Sequence, residues 1–322
     1  MKQSVFCIGE LLIDFFCQQV ETDLQHGKTF EKHAGGAPAN VCATIVKLGG
    51  QAEFCGKVGA DQFGHFLESV LMEAGVGVAH LVKDAQIPTT LAFVSRKKDG
   101  ERDFQFFRGA DEQLQREDIT LEKLIDYPIF HFGSATALLS QPFCDVYREV
   151  FEEAIQQQRF VSFDPNYRAD LWANCQEEFI EKCKPFIVKA DFIKVSEEEL
   201  FILTNEKNRN VATEKLHAMG AKLIAVTLGS KGAILSNGKQ VKEISSIPVN
   251  SIDSTGAGDA FVGAMLFQLS SHPNPQQVDF ESLYEMVQFA NSVGAIVCET
   301  VGAIAAIPSN EEVVMKRKLE RI

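Results

Sequence analysis

Short apolar runs alternate along the chain with longer stretches in which apolar positions recur at helical spacing. The runs predict strands at Val5–Ile8, Pro128–Phe132, Phe160–Phe163, Asp191–Val195 and Lys222–Leu228. Between them, helical periodicity marks Pro38–Leu48, Phe63–Ala74 and a long element around Asp145–Gln157. Apolar strands separated by amphipathic helices predict an α/β fold, a doubly wound and mostly parallel sheet with helices on both faces. In such sheets ligands collect at the carboxyl ends of the strands.

Two stretches depart from this rhythm. Residues 11–33 and 89–108 have strand-like composition with no helix inside them, and Lys98-Asp99-Gly100 reads as a hairpin turn. They are expected to form a small β-sheet standing off the main body as a lid over a site, the whole of 1–322 being a single domain. The alternative is an edge hairpin of the main sheet. Internal repeats and low-complexity segments are not evident.

Composition narrows the partners. In this 322-residue chain, 45% hydrophobic residues suffice for a sizeable core. A formal net charge of -13 opposes non-specific attraction to nucleic acid or to an anionic membrane, so neither is an expected partner. An anionic ligand would need local backbone amides, a few cations and a metal. The 8 cysteines show no C-x-x-C pair or Cys/His cluster, which predicts buried, reduced thiols rather than zinc or disulfides. Glu10 and Asp14 interrupt the first apolar stretch, which therefore reads as neither signal peptide nor membrane span; a cytoplasmic location is expected.

The chemistry concentrates in "DSTGAGDAF", residues 253–261. Strand-like residues lead up to Ile252, and Phe261, Met265, Leu266 and Leu269 offer the apolar face of a following helix. Gly256, Ala257 and Gly258 would leave the N–H groups of 256–259 uncovered at the helix start, a receptor for a phosphoryl group. Asp259 in that turn is placed to take the proton of an attacking hydroxyl. Neither the Walker A pattern nor G-x-G-x-x-G occurs. A second glycine turn, "AGGAPANVCATIVKLGG" at 34–50, joins Gly35 and Gly36 to Pro38 at a helix start and to Asn40, a combined donor and acceptor suited to vicinal hydroxyls.

Together the two stretches resemble the paired signatures of the ribokinase-like, or phosphofructokinase B, carbohydrate kinases, with fructokinases the nearest subgroup, and the resemblance spans the chain. It implies an ATP-dependent sugar kinase making fructose 6-phosphate, with Asp259 as general base and Gly256, Ala257 and Gly258 as the anion hole. By the same resemblance Asp14, Gly35, Gly36 and Asn40 contact the sugar. "FQFFRGAD" and "FDPNYR" add Phe106, Arg108, Asn166 and Arg168 around a ketose. "VTLGSKGA" resembles the family's T-x-G-x-x-G turn, with Thr227, Gly229 and Gly232 at the nucleotide, joined by Lys194 and by Asn291 near adenine. Glu199 matches the carboxylate that organises Mg²⁺ through water, while Ser196 stands where relatives often have Asn and is assigned no such role. Asp253 and Thr255 would border a K⁺ site. A homodimer through the lid is expected. The alternatives are a 2-keto-3-deoxygluconate kinase, then a ribokinase or adenosine kinase, and, from another class, a sugar or nucleotide sensor without turnover.

Overall fold

A computed structural model describes residues 3–19, 21–96, 102–173 and 175–319. The chain opens with β1 (Ser4–Ile8), leaves it through β2 (Leu12–Cys17) and β3 (Phe30–Gly35), and returns in α1 (Ala37–Lys47), β4 (Gln51–Gly59), α2 (Gln62–Glu73) and β5 (Gly77–Asp84). A second excursion, β6 (Leu91–Arg96) and β7 (Arg102–Phe107), precedes β8 (Ile129–Phe132), α3 (Phe143–Gln156), β9 (Phe160–Phe163), α4 (Gln176–Lys189) and β10 (Phe192–Ser196). Then come α5 (Glu197–Thr204), α6 (Arg209–Ala218), β11 (Leu223–Thr227), β12 (Ala233–Ser236), β13 (Val241–Ile244), α7 (Ala257–Leu269), α8 (Phe280–Val297) and α9 (Asn310–Leu319).

The main sheet runs β13-β12-β11-β10-β9-β8-β1-β4-β5 and is parallel from β11 to β5. The β11–β12–β13 end is antiparallel. The central strands are buried on both sides because both faces are covered, with His131, Ser162 and Lys194 as buried polar members of β8, β9 and β10. On β1, Val5 and Cys7 enter the core beneath α1, α2, α7 and α8, while Phe6 and Ile8 enter the core beneath α3 to α6. The expected doubly wound α/β architecture is therefore present.

The two excursions form a separate four-stranded sheet, β3-β2-β6-β7, and not an edge of the main one. Alternation divides its faces. Leu12, Asp14, Phe16, Val94, Phe104 and Phe106 look toward a cavity in the main body. On the other face, Phe15 stacks on Phe93 at 5.0 Å and meets Phe63 of α2 edge-on at 5.9 Å. The turn expected at Lys98-Asp99-Gly100 lies outside the described residues.

Three expectations are corrected. The stretch before Ile252 is not a strand: β13 ends at Ile244, residues 245–250 are irregular, and Ile252 is exposed. Helix α7 has no single apolar face, because it is wedged between α1 and α8 and is buried almost all round. The thiols are free, but Cys175 is exposed and Cys17 and Cys298 are half-buried. Among the described residues no helix is long and apolar enough to cross a membrane.

Candidate active site

The turn at 256–259 sits where two cavities meet. One, of about 400 Å³, opens between the small sheet and the strand ends of the main sheet. The other, of about 550 Å³, lies between the β11–β12 turn, residues 246–251 and α8. Ser254 and Gly258 line both. Gly256 is in the left-handed region at φ 77, and a Cβ there would stand 2.7 Å from Ala303 Cβ, so both conformation and space call for glycine. A Cβ on Gly258 would come within 3.1 Å of Lys194 Nζ. The N–H of Ala257 is taken by the Ser254 carbonyl at 3.3 Å, which corrects the expectation that all four amides are uncovered. Those of Gly256, Gly258 and Asp259 meet no acceptor among the described residues.

Asp259 is buried in the first turn of α7 and lines the first cavity. Asn40 Nδ2 donates to its Oδ2 at 2.8 Å. Burial raises the Asp259 pKa above the ordinary carboxylate value, against the pull of the Asn40 hydrogen bond and of the Arg168 and Lys194 charges. A carboxylate so poised is a better proton acceptor than a solvated one. Asn40 lines the cavity, and its Oδ1 is buried without a hydrogen-bond partner, an acceptor left unused.

Asp14, Gly36, Phe106, Asn166 and Arg168 meet on the same wall. Gly35 closes β3 at a point where any Cβ would strike the Asp14 carboxylate, and a Cβ on Gly36 would strike the Glu10 carbonyl. Asn166, at φ 49, is pinned by its Nδ2 donating to the Gly133 carbonyl at 2.7 Å. Gly35 and Arg108 are absent from the cavity wall, and Arg108 Nη2 lies 2.8 Å from Oδ2 of the fully buried Asp111. The wall thus carries Glu10, Asp14, Glu198, Glu199 and Asp259 against Arg168 and Lys194.

Lys194 projects from β10 toward Gly258 and pairs with Asp164 Oδ2 at 2.9 Å. Burial works against its charge, but Asp164, Glu199 and Asp259 more than offset this and hold its pKa above the ordinary lysine value. Burial likewise pushes Asp164 up to about 7 despite its Lys194 partner. Glu199 accepts the Tyr167 N–H at 2.8 Å and, through its other oxygen, the Ser196 N–H at 2.6 Å. Ser196 returns a cap to Glu199 N, so the Ser that departs from the family pattern closes a capping box.

The second cavity gathers Thr227, Gly229, Gly232 and Asn291 with Ala257 and Gly258. Gly229 and Gly232 have φ 60 and 101 in the hairpin joining β11 to β12. Asn291 lines this cavity, and its Nδ2 donates to the Ile244 carbonyl at 2.9 Å, which ties α8 to β13. Asp253 Oδ1 accepts the Thr255 N–H and hydroxyl at 3.1 and 2.8 Å, and Oδ2 accepts the Gly302 N–H at 3.3 Å.

Sequence reading missed Glu10, Asp164, Asp111 and Thr136. Asp164 and Asp111 stand inside the segments quoted above, and Glu10 lies just before the first excursion, but no local pattern says that a lone acid will be buried.

A family model described as pfkB family carbohydrate kinase matches residues 2–310. A fructokinase-1 of Oryza sativa subsp. japonica is 38% identical over 315 residues, 97% of each chain. A crystal structure of a fructokinase from Xylella fastidiosa with bound ATP superposes with a TM-score of 0.88 at 32% identity, covering 100% of both chains. That of a fructokinase from Vibrio cholerae O395, in a form with fructose, ADP and calcium ion bound, gives 0.86 at 30% identity over 98% of both.

Proposed function

The chain belongs to the pfkB family of carbohydrate kinases, and from that premise we infer that it is an ATP-dependent fructokinase whose product is fructose 6-phosphate. The observation that carries the reading is the position of the 256–259 turn, with a buried acid facing one cavity, Ala257 lining the other and Gly258 lining both. Fructose occupies the cavity under the small sheet and ATP the cavity against the β11–β12 hairpin. Asp259 takes the proton of the primary hydroxyl, whose oxygen attacks the γ-phosphorus as the bond to ADP breaks. The free amides of Gly256, Gly258 and Asp259 and the Lys194 ammonium stabilise the charge on the transferring group. Asn40 orients Asp259 and accepts from a sugar hydroxyl; Asp14, Asn166 and Arg168 bind others, with Gly35 and Gly36 giving close approach and Phe106 apolar cover.

The acidic wall favours a neutral ketose. An anionic keto acid would meet five carboxylates on the wall, and of the two arginines assigned to the sugar Arg108 is already neutralised by Asp111, which leaves Arg168 as the one facing the cavity. ATP brings a divalent ion, which we assign as Mg²⁺. Among the described residues no group of three His, Cys, Asp or Glu could hold a metal, so Glu199 fits as a single carboxylate organising waters around an ion held chiefly by phosphates. Mg²⁺ supplies neutralisation of phosphate charge. Asp253 and Thr255 are the residues that would border K⁺. The four-stranded sheet acts as the lid, excluding water on closure, and pairs with a second copy in a homodimer. A cytoplasmic location suits a soluble-substrate kinase without a membrane-spanning helix among its described residues.

The test is ADP formation with ATP, Mg²⁺ and fructose, with the product located by NMR at O6. Asp259→Asn should lose about 10²- to 10⁴-fold in kcat while still binding fructose. Undiminished turnover in that variant contradicts the assignment of the base.

A further inference from the structure

Helix α1 starts without a cap of its own: Gly36 at its N-cap has no side chain to offer, and the Ala37 N–H is accepted instead by Glu10 Oε1, at 3.0 Å, from the far side of the first excursion. Glu10 is 2% exposed and lies between the end of β1 and the start of β2, where the chain leaves the main sheet. Its Oε2 accepts the Ser134 hydroxyl. That hydroxyl oxygen already accepts the N–H groups of Thr136 at 3.2 Å and Ala137 at 2.8 Å, so its one proton is committed to Glu10. Both Glu10 oxygens therefore face donors, and a carboxylate is what the position requires.

One helical turn after Ala37, α1 presents Asn40, whose Nδ2 holds Asp259 Oδ2 at 2.8 Å. Glu10 thus anchors the end of the helix that aims the amide at the acid. We propose that Glu10 is a positioning residue for Asp259: by fixing the N-terminus of α1 it keeps the Asn40 amide on the Asp259 carboxylate. The inference rests on Asp259 being the base.

The experiment is the pH profile of kcat/KM for fructose at saturating ATP in Glu10→Gln, Asn40→Ala, the double variant and Asp259→Asn. An isosteric Gln sets an amide NH₂ against either the Ser134 hydroxyl or the Ala37 N–H. Loosening Asn40 withdraws stabilisation of the ionised acid, so the acid limb of Glu10→Gln moves to higher pH, by about one unit, or roughly tenfold in rate below the limb. In the Asn40→Ala background, where no amide is left to position, Glu10→Gln moves the limb no further. A limb unchanged in Glu10→Gln, or one moved equally in both backgrounds, overturns the inference even if kcat falls. Should Glu10→Gln not fold, Ser134→Ala, which withdraws one of the two anchoring donors, is judged by the same criteria. Turnover retained by Asp259→Asn removes the base and the inference together; a dead Asp259→Asn with an unmoved Glu10→Gln limb removes the inference alone.

Discussion

At the scale of single residues, the site depends on charges that burial makes costly and neighbours make tolerable. Lys194 is the case in point, a buried ammonium with Asp164 at 2.9 Å and two further carboxylates near it. Lys194→Met should remove charge stabilisation of the transferring phosphoryl group, lowering kcat by about 10²-fold, while fructose binding, measured calorimetrically, changes little. An unchanged kcat would reassign Lys194 to a structural pair with Asp164. The pH dependence follows from the same logic. Asp259 must be ionised to accept a proton, and its pKa is raised, so kcat/KM falls with acid at a pH above that of an ordinary aspartate. Asp259, Asn40 and the glycines were legible in the sequence because the turn they make dictates both their spacing and their type. Asp164 and Glu10 were not, since their effect depends on which donors the fold brings to them. Arg108 was legible as a residue but not in its pairing, which Asp111, three positions on, decides.

At the scale of elements, the small sheet is joined to the main one at four crossings, and two buried carboxylates tie them. Glu10 sits at the first crossing, against the Gly36 of the second. Asp111 accepts the hydroxyls of Thr90, at the third crossing, and of Thr136, the latter at 2.9 Å, and holds Arg108 at the fourth. Thr90 Oγ1 in turn accepts the Gly109 N–H at 2.7 Å. Asp111→Asn replaces an all-acceptor group by one with an NH₂ among these donors and leaves Arg108 unpaired. It should lower stability by about 3–5 kcal/mol in urea unfolding and raise KM for fructose more than KM for ATP. Equal changes in both KM values would contradict a role at the base of the lid. Strands and helices of the main sheet were readable from periodicity because each strand is buried on both faces. The stretch 245–252 misled because its Ile and Val residues have strand composition, whereas its backbone is held by α8 through the Cys298 carbonyl, which accepts the Ile252 and Asp253 N–H groups.

At the scale of the whole molecule, one continuous chain of contacts leads from the small sheet through the first cavity to the 256–259 turn and the second cavity. Fructose should therefore slow hydrogen exchange in β2, β3, β6 and β7 more than in α3 or α4, and protection confined to the main sheet would contradict a closing lid. If the sheet also pairs with a second copy, sedimentation should give a species of twice the 35.6 kDa chain mass. Architecture at this scale was legible because alternating strands and helices admit few topologies. The wall's charge balance was not, since it gathers residues from opposite ends of the chain. That balance bears on the central claim, that this is a kinase of a neutral ketose, and the most direct test is kcat/KM with ATP and Mg²⁺ for fructose beside 2-keto-3-deoxygluconate. A preference for fructose of about 10²-fold or more is expected. Equal or better turnover of the keto acid would make Arg168, or Arg108 released from Asp111, a carboxylate binder and would contradict that preference.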